Sequence, residues 1–488
     1  MAVRLIVYIS VILVTFTLVV TTPLDVIARQ KGKSAKVTSP KAGAKAPKGK
    51  SKKRYSAPPK LVKSKSIADM VIQEDSLVND GMIYRLMQVR MADSSITYVH
   101  ALTCVMRNPP FSVMTLKCEN RCDGMERMVE AVQRVDSAEN KKIIAAVNAN
   151  FWKAVSNAPI GPAVCNGEVI EMLPYKDWNS CFFEANGRPA IDTFRLTARI
   201  RNTSGDTAYI HSVNHRVLPD SIVLFNSFVG PTVPYIPKKK IDKLVDEILS
   251  DSVAVKEDSA TFVVNRDSIE NALLQLQQEA NAEYQYTKIL CRYLRPPAVN
   301  QEIPLMVLKK IDSGSVNMPI RGCVLSMKKS IAKSLYVMVG DTIFLRYSTN
   351  KNDSIVYHNA VCGTPRLVIR GDINEELEND HQHSARFMNT RLPRTAIGTD
   401  ITRSTLYIVT VEASSRSRGF TIMETADFMK QFGAYHALNL DGGGSTHLML
   451  GDTLLTPSPN VWTRKLSYIL ALGRKKGTNK IQPIRKED

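Results

Sequence analysis

Near its C-terminal end the chain runs Ala437-Leu438-Asn439-Leu440-Asp441-Gly442-Gly443-Gly444-Ser445-Thr446 and resumes as His447-Leu448-Met449-Leu450. An apolar segment thus meets one carboxylate, three glycines and two hydroxyls before apolar sequence returns. Gly-rich sequence between two short apolar runs predicts a strand, a bare backbone loop and a second strand. Three successive glycines let backbone N–H groups approach a ligand with no side chains in the way, an arrangement suited to an anion. Asp441 sits beside that cradle, where an anion would be repelled. The conflict is relieved if Asp441 is protonated, if it holds a sugar hydroxyl or a metal, or if it handles the proton of a reaction.

The charge of the chain has to be located before it can be interpreted. The formal net charge is +19, a value that would fit a nucleic-acid binder. Residues 1–66 carry +14 of it and residues 474–488 carry +4, leaving +1 for the body between them. A nearly neutral body excludes a nucleic-acid partner. Leu5 to Val20 is a continuous apolar run, so residues 1–24 read as a signal peptide or membrane anchor. Residues 25–70 are rich in Lys, Ala, Ser, Gly and Pro and read as a disordered basic linker, and residues 474–488 as a basic tail. An anionic membrane surface or an acidic polysaccharide is the partner class such a linker would accept. Dense positive charge after an apolar segment tends to stay cytoplasmic, which argues against export.

Between the tails, apolar segments with alternating polar partners from Ile83 to Met106, the apolar run Ile143 to Val147, and the stretches Val324 to Tyr347 and Leu406 to Val411 predict strands. Helices are predicted over Arg121 to Ser137 and Phe420 to Phe432. From about 236 to 297 the pattern becomes helical: Ile241, Leu244, Val245, Ile248 and Leu249 mark one helix. A second carries Ile269, Leu273, Leu276 and Ala280, with Asp267 as N-cap and Glu270 in the capping-box position. The expected fold class is α+β: a mixed, strand-rich sheet core with flanking helices and a helical insertion at about 236–297, all within one domain spanning 80–473. The eight cysteines permit disulfides, with Cys118–Cys122 and Cys165–Cys181 as two pairings and buried free thiols as the alternative. No Cys/His cluster has zinc-like spacing, so neither a metal nor another cofactor is expected.

Several segments in order give the chain a family likeness. Asp-Gly-Gly-Gly-Ser after an apolar strand resembles the signature of the phosphodiester glycosidase family. Val147-Asn148-Ala149-Asn150-Phe151-Trp152 resembles that family's early Asn motif, and Gly161 to Ile170 the strand-turn-strand that follows. Gly363-Thr364-Pro365-Arg366-Leu367-Val368 is similar to its Gly-Gly-Pro-x-Leu element, and Pro393-Arg394-Thr395-Ala396-Ile397-Gly398 to its Arg-Thr segment. Ser417 to Thr421, followed by Glu424-Thr425-Ala426, resembles the helix start that leads to the glycine loop. The likeness runs from about Ser95 to Gly473 with the insertion inside it.

The resemblance implies a glycosidase that splits the bond between a sugar and a phosphodiester, exported to a periplasmic or extracellular setting where such glycans lie. A phosphate monoester has a second pKa near 6 and leaves readily, so the enzyme must hold phosphate, support an oxocarbenium-like sugar and present water or a carboxylate at C1. On that basis Asp441 is the expected catalytic carboxylate, Arg394 the phosphate clamp with Thr395 beside it, and Glu424 the second carboxylate. Asp400 and Glu412 stand in reserve. Gly442, Gly443 and Gly444 would form the cradle, Ser445 and Thr446 would add donors, and Asn148 and Asn150 would bind sugar hydroxyls. Asn150 stands where many relatives carry Asp. Trp152 and Trp178 are candidate sugar-stacking rings, His447 is a candidate acid or base beside the loop, and His381 with His383 is a weak metal pair on a mobile loop. The alternative of a different class is a non-catalytic carbohydrate-binding protein of the cell envelope with the same fold.

Overall fold

The computed structural model describes residues 65–138, 141–235, 244–246, 266–456 and 463–475. The expected signal or anchor, nearly all of the basic linker, the first helix of the insertion apart from 244–246, and most of the tail lie outside the described residues. The described part is α+β and strand-rich.

Its first half is a four-layer stack. An eight-stranded sheet contains, in spatial order, Ile67–Asn79, Met82–Met91, Ile96–Val105, Thr405–Val411, Arg394–Thr399, His436–Asn439, Arg366–Ile369 and Asp372–Ile373. A five-stranded sheet, Thr453–Leu454, Leu448–Leu450, Lys141–Asn148, Tyr468–Lys475 and Ser112–Lys117, covers one of its faces. Residues alternate along each strand, so each strand feeds two cores. Leu406 and Ile408 pack between the sheets with Ile144, Val147, Leu438 and Leu470, whereas Val409 and Val411 pack on the other face against the helix Ile422–Gln431. Likewise Ile143 and Ala146 turn outward under the helix Met128–Ala138. Ile422–Gln431 begins with a capping box in which the Thr421 hydroxyl accepts from Glu424 N–H and the Glu424 carboxylate accepts from Thr421 N–H.

The second half is another pair of sheets. Thr207–Ile210, Leu196–Arg201, Thr342–Thr349, Glu302–Ile311, Thr287–Tyr293, Gly322–Met327, Val223–Asn226 and Ser212–Val213 form a second eight-stranded sheet. Its core is shared with Val164, Val169, Phe182 and Ala360 of a five-stranded sheet built from Glu168–Glu171, Ala163–Cys165, Tyr357–Gly363, Asn179–Glu184 and Pro189–Asp192. Asn359 links this sheet to the first half. Its buried side-chain oxygen accepts from Thr115 N–H at 3.2 Å, the Thr115 hydroxyl at 3.1 Å and Asn166 N–H at 3.0 Å, while its amide donates to the Val113 carbonyl at 3.1 Å.

Several sequence boundaries move. Strand structure begins at Ile67, inside the expected linker, because Ile67 to Asn79 pairs along Met82–Met91 and brings Asp69 opposite Arg90. Arg474 and Lys475, assigned to the tail, close the strand that pairs with Lys142 and Lys141. The helix expected from Arg121 starts only at Met128, since Arg121 and Asp123 pair in a turn and the backbone of Glu126 is bridged to Leu466. Within the expected insertion, Arg266–Ala282 is helical with Asp267 in its first turn, but Thr287–Tyr293 is a strand in the middle of the second sheet. Alternation of Ile289 and Cys291, both wholly buried, overrides the helical pattern there. All eight cysteines are free thiols, so neither Cys118–Cys122 nor Cys165–Cys181 is bridged; Cys291 lies opposite Cys323 across the ladder.

Replacing Asn359 by Leu deletes four hydrogen bonds and strands buried donors, which predicts a loss of about 2–5 kcal/mol. Urea denaturation with an unchanged m-value would measure it, and a cost below about 1 kcal/mol would show that the two halves are held otherwise.

Candidate functional site

The glycine loop joins the two sheets of the first half. His436–Asn439 lies in the eight-stranded sheet between Arg394–Thr399 and Arg366–Ile369, while Leu448–Leu450 lies beside Lys141–Asn148 in the five-stranded one. Crossing between them, Leu440 N–H donates to the Thr395 carbonyl at 2.9 Å and Asp441 N–H to the Ala149 carbonyl at 3.0 Å. The glycines serve this crossing. A Cβ on Gly442 would sit 3.0 Å from the Pro393 carbonyl oxygen, and Gly443 has φ +58°, in the left-handed region that favours glycine. Gly443 N–H then donates to Pro393 at 2.8 Å, and a short 3-10 turn over Gly443–Ser445 closes through Ser445 and Thr446 N–H groups.

Two of the three N–H groups of the expected cradle are committed within the protein. Gly442 N–H donates to the carboxylate of Asp441 itself at 3.0 Å, and Gly443 N–H is taken by Pro393.

Asn148 and Asn150 likewise face inward. Asn148, at the end of its strand, donates from its amide to the Asp441 carbonyl at 2.5 Å. Its side-chain oxygen accepts from the Thr395 hydroxyl at 2.8 Å and from His447 N–H at 3.1 Å. Asn150 donates to the Ile160 carbonyl at 3.2 Å and accepts from Cys362 N–H at 3.0 Å. Both are buried and occupied on both sides of the amide, so they position backbone rather than present free groups to sugar hydroxyls.

Around Asp441 the polar accounting changes. The buried Asn439 Oδ1, Thr446 Oγ1 and His447 Nε2 have no hydrogen-bond partner in the structure, while the Ser445 hydroxyl is directed at the Asp441 carboxylate. Buried polar atoms are nearly always partnered, so three such atoms within nine residues make this segment a candidate for meeting a polar ligand or water. Asp441 keeps some exposed surface, yet burial pushes its carboxyl up to about 6, against the pull of Arg464, Ser445 and Gly442 N–H. His447 approaches the Ser445 carbonyl with Nδ1 at 3.2 Å; donation there leaves a lone pair on Nε2, and burial holds the ring below its usual range, hence neutral. Arg464 supplies positive charge to both Asp441 and His447, and its guanidinium carbon lies 5.4 Å from the centre of the Trp152 ring. Nothing in the sequence singles out this arginine beyond its position just before the strand Tyr468–Lys475.

Arg394 and Glu424 are held apart from this group. Arg394 is 2% exposed, and it donates from Nε to the Phe420 carbonyl at 3.0 Å and from Nη2 to the Phe387 and Thr390 carbonyls at 2.8 Å each. Burial pushes it down to about 10. Its stem packs 3.9 Å from where a Gly442 Cβ would stand, so it buttresses the loop from behind. Glu424 closes its helix cap and accepts from Arg391 through both oxygens. Of the reserve carboxylates, Asp400 accepts from Ser404 and Thr405 N–H in a turn, and Glu412 pairs with Arg416 and with His100. His383 bonds Asp380 and Thr364, and among the described residues no group of His, Cys, Asp and Glu could hold a metal ion. Trp178 packs edge-on against Phe151 and Tyr175.

Residues 311–472 match the family model described as phosphodiester glycosidase. N-acetylglucosamine-1-phosphodiester alpha-N-acetylglucosaminidase from Bos taurus is 34% identical over 94 residues, and that from Homo sapiens 35% identical over 95 residues. Each match covers 18% of this chain and 18% of the relative, so the chain spans less than a fifth of the curated relatives it matches. Among solved structures, a Synechocystis protein described as hypothetical has a TM-score of 0.55 at 17% identity, covering 83% of this chain and 64% of that one. A candidate exported protein of Burkholderia pseudomallei K96243 has a TM-score of 0.53 at 14% identity, covering 86% of this chain and 99% of that one. At these identities the likeness shows the fold.

The raised Asp441 carboxyl has a stability consequence. The folded group keeps its proton up to about pH 6, whereas an unfolded Asp releases it near 3.8. Between those values the folded state binds the extra proton, so stability falls as pH rises through the window and the full cost is present above it. Asp441→Asn is therefore expected to be more stable than the parent by about 1–3 kcal/mol at about pH 7.5, and equal to it near pH 3.5. Thermal denaturation at the two pH values decides, and a lower Tm for the variant at the higher pH would refute the assignment.

Proposed function

We propose that this chain, which carries phosphodiester glycosidase sequence over residues 311–472, hydrolyses the bond between the anomeric carbon of a sugar and the phosphate of a sugar-1-phosphodiester. The products are the free sugar and a phosphomonoester. The observation that supports this reading is the pair of unpartnered buried groups, Thr446 Oγ1 and His447 Nε2, next to a carboxyl held near pH 6 with the Ser445 hydroxyl directed at it. A site with hydroxyl donors, a neutral imidazole, a tuned carboxylate and a nearby guanidinium fits the demands of this bond cleavage.

Each group has a role set by its chemistry. Arg464 offsets the charge that grows on the departing phosphate. That leaving group needs little protonation, because its own second pKa lies near 6. Asp441, ionised above pH 6, stands against the positive charge that develops at the anomeric carbon. The Ser445 and Thr446 hydroxyls donate to phosphate or sugar oxygens, and His447 Nε2 accepts a proton from a hydroxyl or water. Asn148 and Arg394 act through the loop they hold. We place the reaction outside the cytosol, where the apolar N-terminal run would direct the chain and where the basic residues after it would meet anionic lipid or polysaccharide.

Purified protein incubated with a panel of sugar-1-phosphodiesters is expected to release sugar and phosphomonoester in equal amounts. The rate should rise with pH through a midpoint near 6. Asp441→Asn should lower kcat by roughly 10²–10⁴-fold, and Arg464→Ala should cost about 10–100-fold in kcat/KM. Tight binding without release, unaffected by Asp441→Asn, would replace the hydrolase reading with a carbohydrate-binding one.

A further inference from the structure

Two of the eight cysteines are set apart by their place in the second eight-stranded sheet. Cys291 lies on Thr287–Tyr293 and Cys323 on Gly322–Met327, neighbouring antiparallel strands whose register puts the two residues directly opposite each other. Opposed residues share one face of a sheet, and here that face is the core between the two sheets of the second half. Both side chains are 0% exposed, and the Cys323 thiol is in hydrogen-bonding contact with Cys291. Among the described residues no other two cysteines face each other across a ladder. Cys104 stands opposite Met82 and Leu406, Cys165 opposite Glu168, Cys181 opposite Val361 and Ile191, and Cys362 opposite Ser180.

That placement meets the covalent requirement. Directly opposed residues of an antiparallel pair have Cα atoms about 4.5–5.5 Å apart, within the range of about 4.4–6.8 Å that disulfides span. The spacing of the two strands therefore already suits a cross-link. Between them the chain leaves Cys291, forms Glu302–Ile311 on the other side of Thr287–Tyr293, and returns to Cys323. Closing that loop of about 30 residues takes freedom from the unfolded chain and so favours the folded one. Contact with Cys291 and burial hold the Cys323 thiol well above the usual thiol range, so the folded protein offers an oxidant no Cys323 thiolate near neutral pH. The bond has to form while the strands are pairing, when both thiols still meet solvent.

We infer that Cys291 and Cys323 are a disulfide site, open as two thiols in the structure and closed when the chain folds in the presence of a small disulfide such as oxidised glutathione. One cysteine thiolate attacks the glutathione disulfide and releases one glutathione. The second cysteine then attacks the protein sulfur of the mixed disulfide and releases the other. Two electrons and two protons pass to glutathione for each cross-link made. The site is independent of the hydrolase reading.

Peptide mapping of the full chain tests it. The chain is synthesised in a cell-free reaction buffered with oxidised and reduced glutathione, which separates the result from any question of export. The product is alkylated in denaturant without reductant and digested with trypsin. Cleavage after Lys288, Arg292, Arg321 and Lys328 isolates each cysteine on a short peptide. Peptides 289–292 and 322–328 are expected as one joined species that reductant splits into two. The cross-linked protein should melt about 5 °C above protein synthesised with reductant, and Cys291→Ala should remove that difference. Recovery of both cysteines on separate alkylated peptides, or of either joined to a different cysteine, would overturn the assignment.

Discussion

One buried amide holds the candidate site together. Asn148 reaches the Asp441 carbonyl, the Thr395 hydroxyl and His447 N–H, and so binds two sheets and the loop that crosses between them. Its main-chain N–H adds a longer contact to the His447 carbonyl at 3.4 Å. Every acceptor and donor in this cluster is out of water, so a shorter or purely apolar side chain would leave several of them unpaired at once. The position of Asp441 thus follows from a residue nearly three hundred positions earlier in the chain.

The site divides its polar groups into two kinds. Asn148, Asn150, Arg394 and Glu424 have their hydrogen bonds directed to the protein, to carbonyls, N–H groups and Arg391, and they fix geometry. Thr446 and His447 each keep a buried atom without a partner, and Asp441 keeps a carboxyl that burial disfavours in its charged form. Groups of the second kind cost stability in the empty protein and are the ones a ligand would satisfy. A bare run of glycines invites the opposite assignment, with the backbone as ligand cradle, but here its N–H groups stabilise the turn that aims the side chains.

Much of the architecture could be read along the chain because it rests on local periodicity. The apolar stretches Ile143 to Val147 and Leu406 to Val411 emerged as the expected strands, and the helix expected over Phe420 to Phe432 emerged as Ile422–Gln431. The stripe of Ile269, Leu273, Leu276 and Ala280 was also legible, though what it faces was not. Thr287 to Tyr293 escaped because its neighbours in sequence are helical while its neighbours in space are strands. The late start of Met128–Ala138 escaped for a related reason, since the backbone of Glu126 just ahead of it is bridged to Leu466, a residue distant in sequence.

By itself the sequence determined which chemistry was at hand: an acid beside glycines and hydroxyls between two strands, a family likeness carried by short motifs, an α+β pattern, and a nearly neutral body between basic ends. Only the tertiary structure decided which of those groups are available. Arg394 is buried against three carbonyls while Arg464 is the cation whose charge acts on the Asp441 carboxylate, and the amides of Asn148 and Asn150 are directed to backbone. The physical reason is that a side chain's residue type fixes what it can donate or accept, whereas whether those bonds are already made depends on partners brought together from distant parts of the chain.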